Sequence, residues 1–335
     1  MNIKLRNYFN FSTSGKIKLI NSLSLICLQF LIMTGSSIMK THASLFFILL
    51  SLMFSLSYGQ KQETSNSVLP RLKVDNWQME QGLPVNSIIT VSQTADGWMF
   101  FGTEEGLVRF DGNTFFLMNR SNIPELNVNF IIMLLGTSDL SLWVGIEGDG
   151  LIRYKDNAFF KYNKSTGLSS DRVYTLIDDS NGGLWIGTSG GGLNYIKNEK
   201  IIGYDTKNGL ASDYIRAFAI DSKGRLWVGT QKGLSVIDNG QIKNYYKKDG
   251  LSDDFIETLA FDEEQNLWIG TKSGGLNVLK QDKFTVYTVK DGLTENAITK
   301  LCFDANGILW IGTNGGGITL MKDGKFHSLT TKEGL

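Results

Sequence analysis

The stretch of this sequence that looks most like a chemical site is Gly182 to Leu193, "GGLWIGTSGGGL". A glycine-rich loop beside a strand-like "LWIGT" could cradle a phosphate, because glycine lets backbone N–H groups close on an anion. That chemistry needs a following helix with its N-terminus aimed at the anion and a Lys-Ser/Thr pair. Neither is present in the residues that follow. Other reactive side chains are scarce. Of two histidines, only His327 lies beyond the first fifty-nine residues, so neither a His-based metal cluster nor a His-assisted nucleophile can be assembled. "DANG" at Asp304 opens like a calcium loop but does not continue as D-x-[DN]-x-[DN]-G. It matches "DSKG" at Asp221 and reads as a hairpin turn. Glu104, Glu105, Glu147 and Asp149 place acidic groups in two adjacent glycine loops, where solvated loop charge explains them, although sugar hydroxyls also suit such groups. No catalytic residue, metal site or cofactor is expected.

The elements behind the glycine loops settle their role. Strings related to "LWIGT" recur along the chain, and their second residues are Phe100, Trp143, Trp185, Trp227, Trp268 and Trp310, spaced 41 to 43 residues apart. A fixed period of that length signals a repeat architecture and overrides any local motif. "GL" keeps step at Gly82, Gly167, Gly209, Gly250, Gly292 and Gly334, with Glu125-Leu126 in the second unit. Each unit divides into four short strands, shown by "RVYTLI", "LWIGT", "LNYIK" and "KIIGYD", separated by turn clusters such as "DDSNGG". Long stretches of 3.6-residue period are absent, which excludes paired-helix repeats. The fold class expected is all-β: a β-propeller of four-stranded blades, with six repeats present as part of a seven-bladed ring. "TSGGGL" then joins the second and third strands of a blade, a tight hairpin that needs positive φ.

Two columns of the repeat matter most. The aromatic column has a structural use, filling the wedge against the neighbouring blade, with cofactor stacking as the competing use. Four residues after each "GL" position stand Asn86, Asn129, Asp171, Asp213, Asp254 and Asn296. Each precedes an innermost strand, so symmetry places the six in a ring around one mouth of the channel. They read either as caps of their own turns, a habit of Asn and Asp, or as a ring of ligand-binding groups.

The first fifty-nine residues hold five of the 33 basic residues and none of the 33 acidic ones. Met39 opens a complete signal peptide: a short basic start, an apolar run from Leu45 to Leu56, then Ser57-Tyr58-Gly59, with Gln60 as the expected new N-terminus. Residues 1–38 read as upstream sequence translated ahead of the true start. The run from Leu19 to Gly35 as a membrane-inserting element is the alternative. Residues 60–70 form a linker and residues 71–335 the repeats. The balance of charge shows no basic footprint for nucleic acid, and Cys302 alone beyond the leader allows no disulfide framework. A periplasmic or secreted protein is expected.

Taken together, "GL-x-x-[ND]-x-[IV]", "D-x-x-G-x-LW[IV]GT" and "GGL" resemble the two-component regulator propeller repeat, from about Arg71 to Leu335. The resemblance implies seven-bladed propellers, often in tandem, serving as the periplasmic sensor of hybrid histidine kinases and related regulators, many answering to polysaccharide fragments. It further implies a three-tyrosine domain, a membrane helix and a cytoplasmic output. The expectation is a non-enzymatic sensor for a small-molecule or oligosaccharide ligand, without its transmitter. Dimerisation and membrane attachment would run through regions beyond this sequence or through its N-terminal segment. A lyase or hydrolase at the channel mouth and a free-standing secreted interaction propeller are the alternatives.

Strand counting adds one expectation. Arg71 to Met79, with Trp77, aligns with the outer strand of later units (residues 71–81), while the six units of 82–333 each own four strands. The first strand has no vacancy to fill within six blades, and a seventh unit opening at Gly334 (residues 334–335) would use it.

Overall fold

A computed structural model describes residues 79–329. The leader, the signal peptide, the linker, the strand expected at Arg71 and the Gly334-Leu335 pair lie outside the described residues.

The described residues hold twenty-four strands, β1 to β24, arranged as six four-stranded sheets. Every sheet is a simple antiparallel meander in chain order. The third blade shows the logic, with β9 (Val173–Asp178), β10 (Gly183–Thr188), β11 (Leu193–Lys197) and β12 (Lys200–Tyr204). The repeated "LWIGT" becomes the second strand, and in blades 2, 4 and 5 all five of its residues are buried. A strand covered on both faces reads as a continuous apolar run, whereas the outermost strands alternate exposed and half-buried residues. "KFHSL" at Lys325–Leu329 is β24, so the sixth blade owns its fourth strand.

The glycine loop is a hairpin. Gly192 has φ of +77°, and a Cβ there would run into the Tyr204 carbonyl. The "GL" column has a separate origin. Gly167, Gly209, Gly250 and Gly292 end one-turn 3-10 helices in left-handed conformation, with φ between +105° and +115°. Glycine adopts that cap without the penalty a Cβ brings.

The core lies between blades. Phe100 of blade 1 packs with Leu142, Val144 and Ile152 of blade 2. Trp143 packs on blade 3, Trp185 on blade 4, Trp227 on blade 5 and Trp268 on blade 6. Trp310 instead joins Ile308, Ile318, Leu320 and Leu329, all of its own blade. The inner strands β1 (Ile88–Gln93), β5 (Ile131–Gly136), β9, β13 (Ile215–Ile220), β17 (Ile256–Phe261) and β21 (Ile298–Phe303) each pack on the next. Among the described residues no comparably extensive contact joins β21 back to β1.

Candidate functional site

The Asn/Asp column does a specific local job. In each unit the side-chain oxygen accepts the hydrogen bond of a backbone N–H at the start of the preceding turn. Asn86 accepts from Met79, Asp171 from Lys164, Asp213 from Thr206, Asp254 from Lys247 and Asn296 from Val289, at 2.7 to 3.1 Å and always seven residues back. Asn129 accepts from Arg120 at 3.1 Å, nine residues back, because the second unit has a longer turn. In every unit but the second these donors are the first N–H groups of a one-turn 3-10 helix. The second and third N–H groups are taken by the turn's own N-cap where that residue is Asn163 or Asp205. Two side chains therefore divide the orphan donors of one turn.

The backbone of the same column ties blade to blade. The Asp171 carbonyl accepts from Gly150, the Asp213 carbonyl from Gly190 and Gly192, and the Asn296 carbonyl from Gly275, at 2.9 to 3.0 Å. Each donor belongs to the glycine hairpin of the preceding blade. This accounts for Asn or Asp in every unit and ties the column to the fold.

On the opposite face, turn aspartates hold the aromatic column. Asp221, Asp262 and Asp304 accept the indole N–H of Trp227, Trp268 and Trp310 at 3.1, 2.9 and 3.2 Å. Burial works to raise the Asp221 carboxyl, but hydrogen bonds from Trp227 and Arg225 outweigh it and hold the group below the usual carboxylate range. In blade 3 Asp179 takes the Tyr195 hydroxyl at 2.6 Å instead. Burial and that hydrogen bond push the Tyr195 phenol up to about 12.

A third column was hidden in the sequence by its variability. Three residues after each Asn/Asp, the inner strand carries a β-bulge, and the residue set out of register is Ile89, Ile132, Tyr174, Arg216, Glu257 or Thr299. Bulges re-aim a side chain while the strands on either side stay paired. Arg216 Nη2 and Nε reach Glu257 Oε2 at 2.5 and 3.1 Å, an ion pair between the inner strands of blades 4 and 5. The Arg216 guanidinium also lies 3.9 Å from the centre of the Tyr174 ring. Burial pushes the Tyr174 phenol up, with the guanidinium working against it. Arg216 and Glu257 line a cavity of about 140 Å³ bounded by β9, β13, β17 and β21, together with Thr175, Thr258 and Lys300. The column reads Ile, Ile, Tyr, Arg, Glu and Thr, directly after a nearly constant one of Ile88, Ile131, Val173, Ile215, Ile256 and Ile298.

His327 lies on β24, the outermost strand of blade 6, remote in the sheet order from β21. Among the described residues no group of three or more His, Cys, Asp or Glu is placed to hold a metal ion. Likewise, no helix among them is long and apolar enough to cross a membrane.

The family model described as two component regulator propeller matches residues 167–190, 209–232, 250–273 and 292–315. Each match opens on a 3-10-capping glycine and runs through the Asn/Asp column, the bulge and the aromatic strand into the glycine hairpin. No curated protein sequence matches the chain. Among solved structures, the extracellular domain of a hybrid two-component system from B. thetaiotaomicron is similar at a TM-score of 0.65 and 24% identity, covering 76% of this chain and 36% of that one. PorZ, a surface component of the type-IX secretion system of Porphyromonas gingivalis, is similar at 0.57 and 18%, covering 72% and 40%. Virginiamycin B lyase from Staphylococcus aureus is similar at 0.57 and 15%, covering 71% and 82%. The chain thus spans well under half the length of the first two, and at these identities all three likenesses are likenesses of fold. Four units match the two component regulator propeller repeat directly, and the other two share their sheet order, capping oxygen and bulge: the chain carries repeats of that kind along its six blades.

Proposed function

We propose that this propeller is the exported, ligand-sensing region of a two-component regulator, holding a small extracellular ligand such as a glycan fragment without changing it chemically. The observation that carries the reading is the bulge column. The fold asks for the same Asn or Asp in every unit, but three residues later it accepts Ile, Tyr, Arg, Glu or Thr. Side chains that differ from blade to blade on the inner strands of a rigid scaffold are suited to making the specific contacts of a ligand. The ring of Asn86, Asn129, Asp171, Asp213, Asp254 and Asn296 marks the mouth through which the ligand enters. Export through the Met39 signal peptide, with cleavage near Gln60, puts the propeller in the periplasm or outside the cell.

Thermal melting of the purified chain with neutral and acidic oligosaccharides tests this. A ligand at a hundred times its Kd should stabilise the fold by about 2.7 kcal/mol. Mass spectrometry of the same mixtures should return each oligosaccharide intact. Cleaved or rearranged products would favour a lyase-type propeller, and no shift with any member would remove the sensor reading.

A further inference from the structure

The position directly after each capping Asn or Asp reads Ser87, Phe130, Arg172, Tyr214, Phe255 and Ala297, so aromatic rings stand there in blades 2, 4 and 5. The backbone fixes this position at the rim of the mouth. From blade 2 to blade 6 its carbonyl accepts an N–H from the glycine hairpin of the same blade, at 2.9 to 3.1 Å. Tyr214 is the ring most fully presented, 45% exposed against 37% for Phe130, while Phe255 is half-buried.

The Tyr214 ring is propped from behind. A Cβ built on Gly190, in the hairpin of blade 3, would lie 3.4 to 3.5 Å from Cζ, Cε1 and Oη of Tyr214 alike. Near-equal distances to those three atoms mean that the glycine meets the flat of the ring, not its edge. One face therefore rests on the hairpin and the other is turned to solvent. The backbone beneath is held at both ends: the Tyr214 N–H donates to Ser212 Oγ at 3.2 Å and its carbonyl accepts from Gln231 at 3.1 Å. Ser189 of blade 3 pairs with Tyr214 in an isolated bridge. Holding a large apolar face rigidly in water wins nothing for the fold. It does lower the entropy cost of a ligand that stacks there.

The company of the ring selects the ligand. Arg172, Ser189 and Gln231 adjoin it along the rim, and the Phe255 ring carries Lys272 Nζ at 4.6 Å and the Arg216 guanidinium at 5.5 Å. Aromatic faces set among hydrogen-bonding groups do not make the apolar core of a protein interface. They suit a molecule with apolar faces and hydroxylated edges, which describes a pyranose ring with equatorial hydroxyls. We propose that the mouth rim binds an oligosaccharide of such rings, one of them stacked on the free face of Tyr214. The inference rests on the sensor reading and names the class of ligand and its anchor. An open rim encloses no single sugar, so affinity has to come from several linked units. No bond is made or broken.

Isothermal titration of the full chain with cellohexaose and xylohexaose tests the assignment, with D-glucose as the single unit. Saturable binding of at least one hexasaccharide is expected, with glucose weaker by about tenfold or more. Tyr214→Ala should weaken the hexasaccharide by about tenfold, whereas Tyr214→Phe, which keeps the ring, should hold the affinity. Phe160→Ala removes an equally exposed ring from the outer strand of blade 2 and should change nothing. Tyr214→Leu, which still covers Gly190 without a ring, serves should the alanine variant not fold. The proposal is overturned by absent hexasaccharide binding, by equal affinity for glucose, by full affinity in the folded ringless variant, or by an equal loss in Phe160→Ala. A melting shift with another oligosaccharide, in a chain that binds neither hexasaccharide, would leave the sensor reading standing and remove this one. Absence of every shift would remove both.

Discussion

Two columns of the repeat, three residues apart, divide the labour of the molecule. At Asn86, Asn129, Asp171, Asp213, Asp254 and Asn296 the side chain is nearly fixed, because its oxygen caps a turn. The carbonyls of Asp171, Asp213 and Asn296 also accept from the preceding blade. At Ile89, Ile132, Tyr174, Arg216, Glu257 and Thr299 the backbone bulges and the side chain is free to differ. Uniformity across the repeats marks what every blade needs for itself. Variation marks what the assembled ring does once. A residue present in all units is therefore a poor guide to a site in this fold, and the irregular one beside it is a better guide.

The largest effect expected belongs to the uniform side of that comparison. Trp227→Ala removes a wedge buried between blades 4 and 5 and should cost about 3–5 kcal/mol, read as a fall in Tm. Trp310→Ala, in the same motif, should cost clearly less, because the described partners of Trp310 all belong to its own blade. Equal losses would show that the wedge between blades is not what the tryptophan supplies.

Acid should weaken the turns that hold this framework. Burial works to raise the carboxyls of Asp139 and Asp221. For Asp139 the Thr137, Lys155 and Ser141 side chains, and for Asp221 Trp227 and Arg225, outweigh it and hold both groups below the usual range. The native state then binds protons less readily than the unfolded chain. Their stabilisation is complete above the unfolded value of about 3.9 and is lost as pH falls through the lower native values. Melting curves from pH 7 downward should hold steady until about pH 4 and then drop, and Asp221→Asn should flatten the drop.

A smaller loss is expected at the capping column. Asp213→Ala frees the Thr206 N–H, and one such hydrogen bond is worth about 1 kcal/mol. Hydrogen exchange should quicken at Thr206 while the amides of β14 (Leu226–Thr230), in the middle of the same blade, keep their protection.

The sequence revealed the fold because burial repeats. A Phe or Trp every 41 to 43 residues, followed by a glycine hairpin, is a pattern only stacked blades satisfy, and all four strands of each unit could be placed from it. The one-turn 3-10 helices before "GL" were not legible as helices. Three residues are too few to show a period, although the N-cap Asn163 or Asp205 and the glycine four residues on carried the signal. The candidate site was legible only in part. Periodicity located the face and the Asn/Asp ring, but a bulge is a register event between strands, and one strand's sequence does not show it. Arg216, Glu257 and Lys300 come from three consecutive blades, and only the packing of one inner strand on the next brings those strands to one cavity.

Blade 6 offers the most direct measurement, because both columns can be altered there without ligand. Asn296→Ala removes the acceptor of the Val289 N–H, whereas Thr299→Val replaces a buried hydroxyl with no hydrogen-bond partner among the described residues by a methyl group of the same shape. Thermal melts of the two variants should show Asn296→Ala destabilised by about 1 kcal/mol and Thr299→Val unchanged or more stable. A Thr299→Val loss as large as that of Asn296→Ala would mean the fold needs both columns alike, and the division between them would not stand.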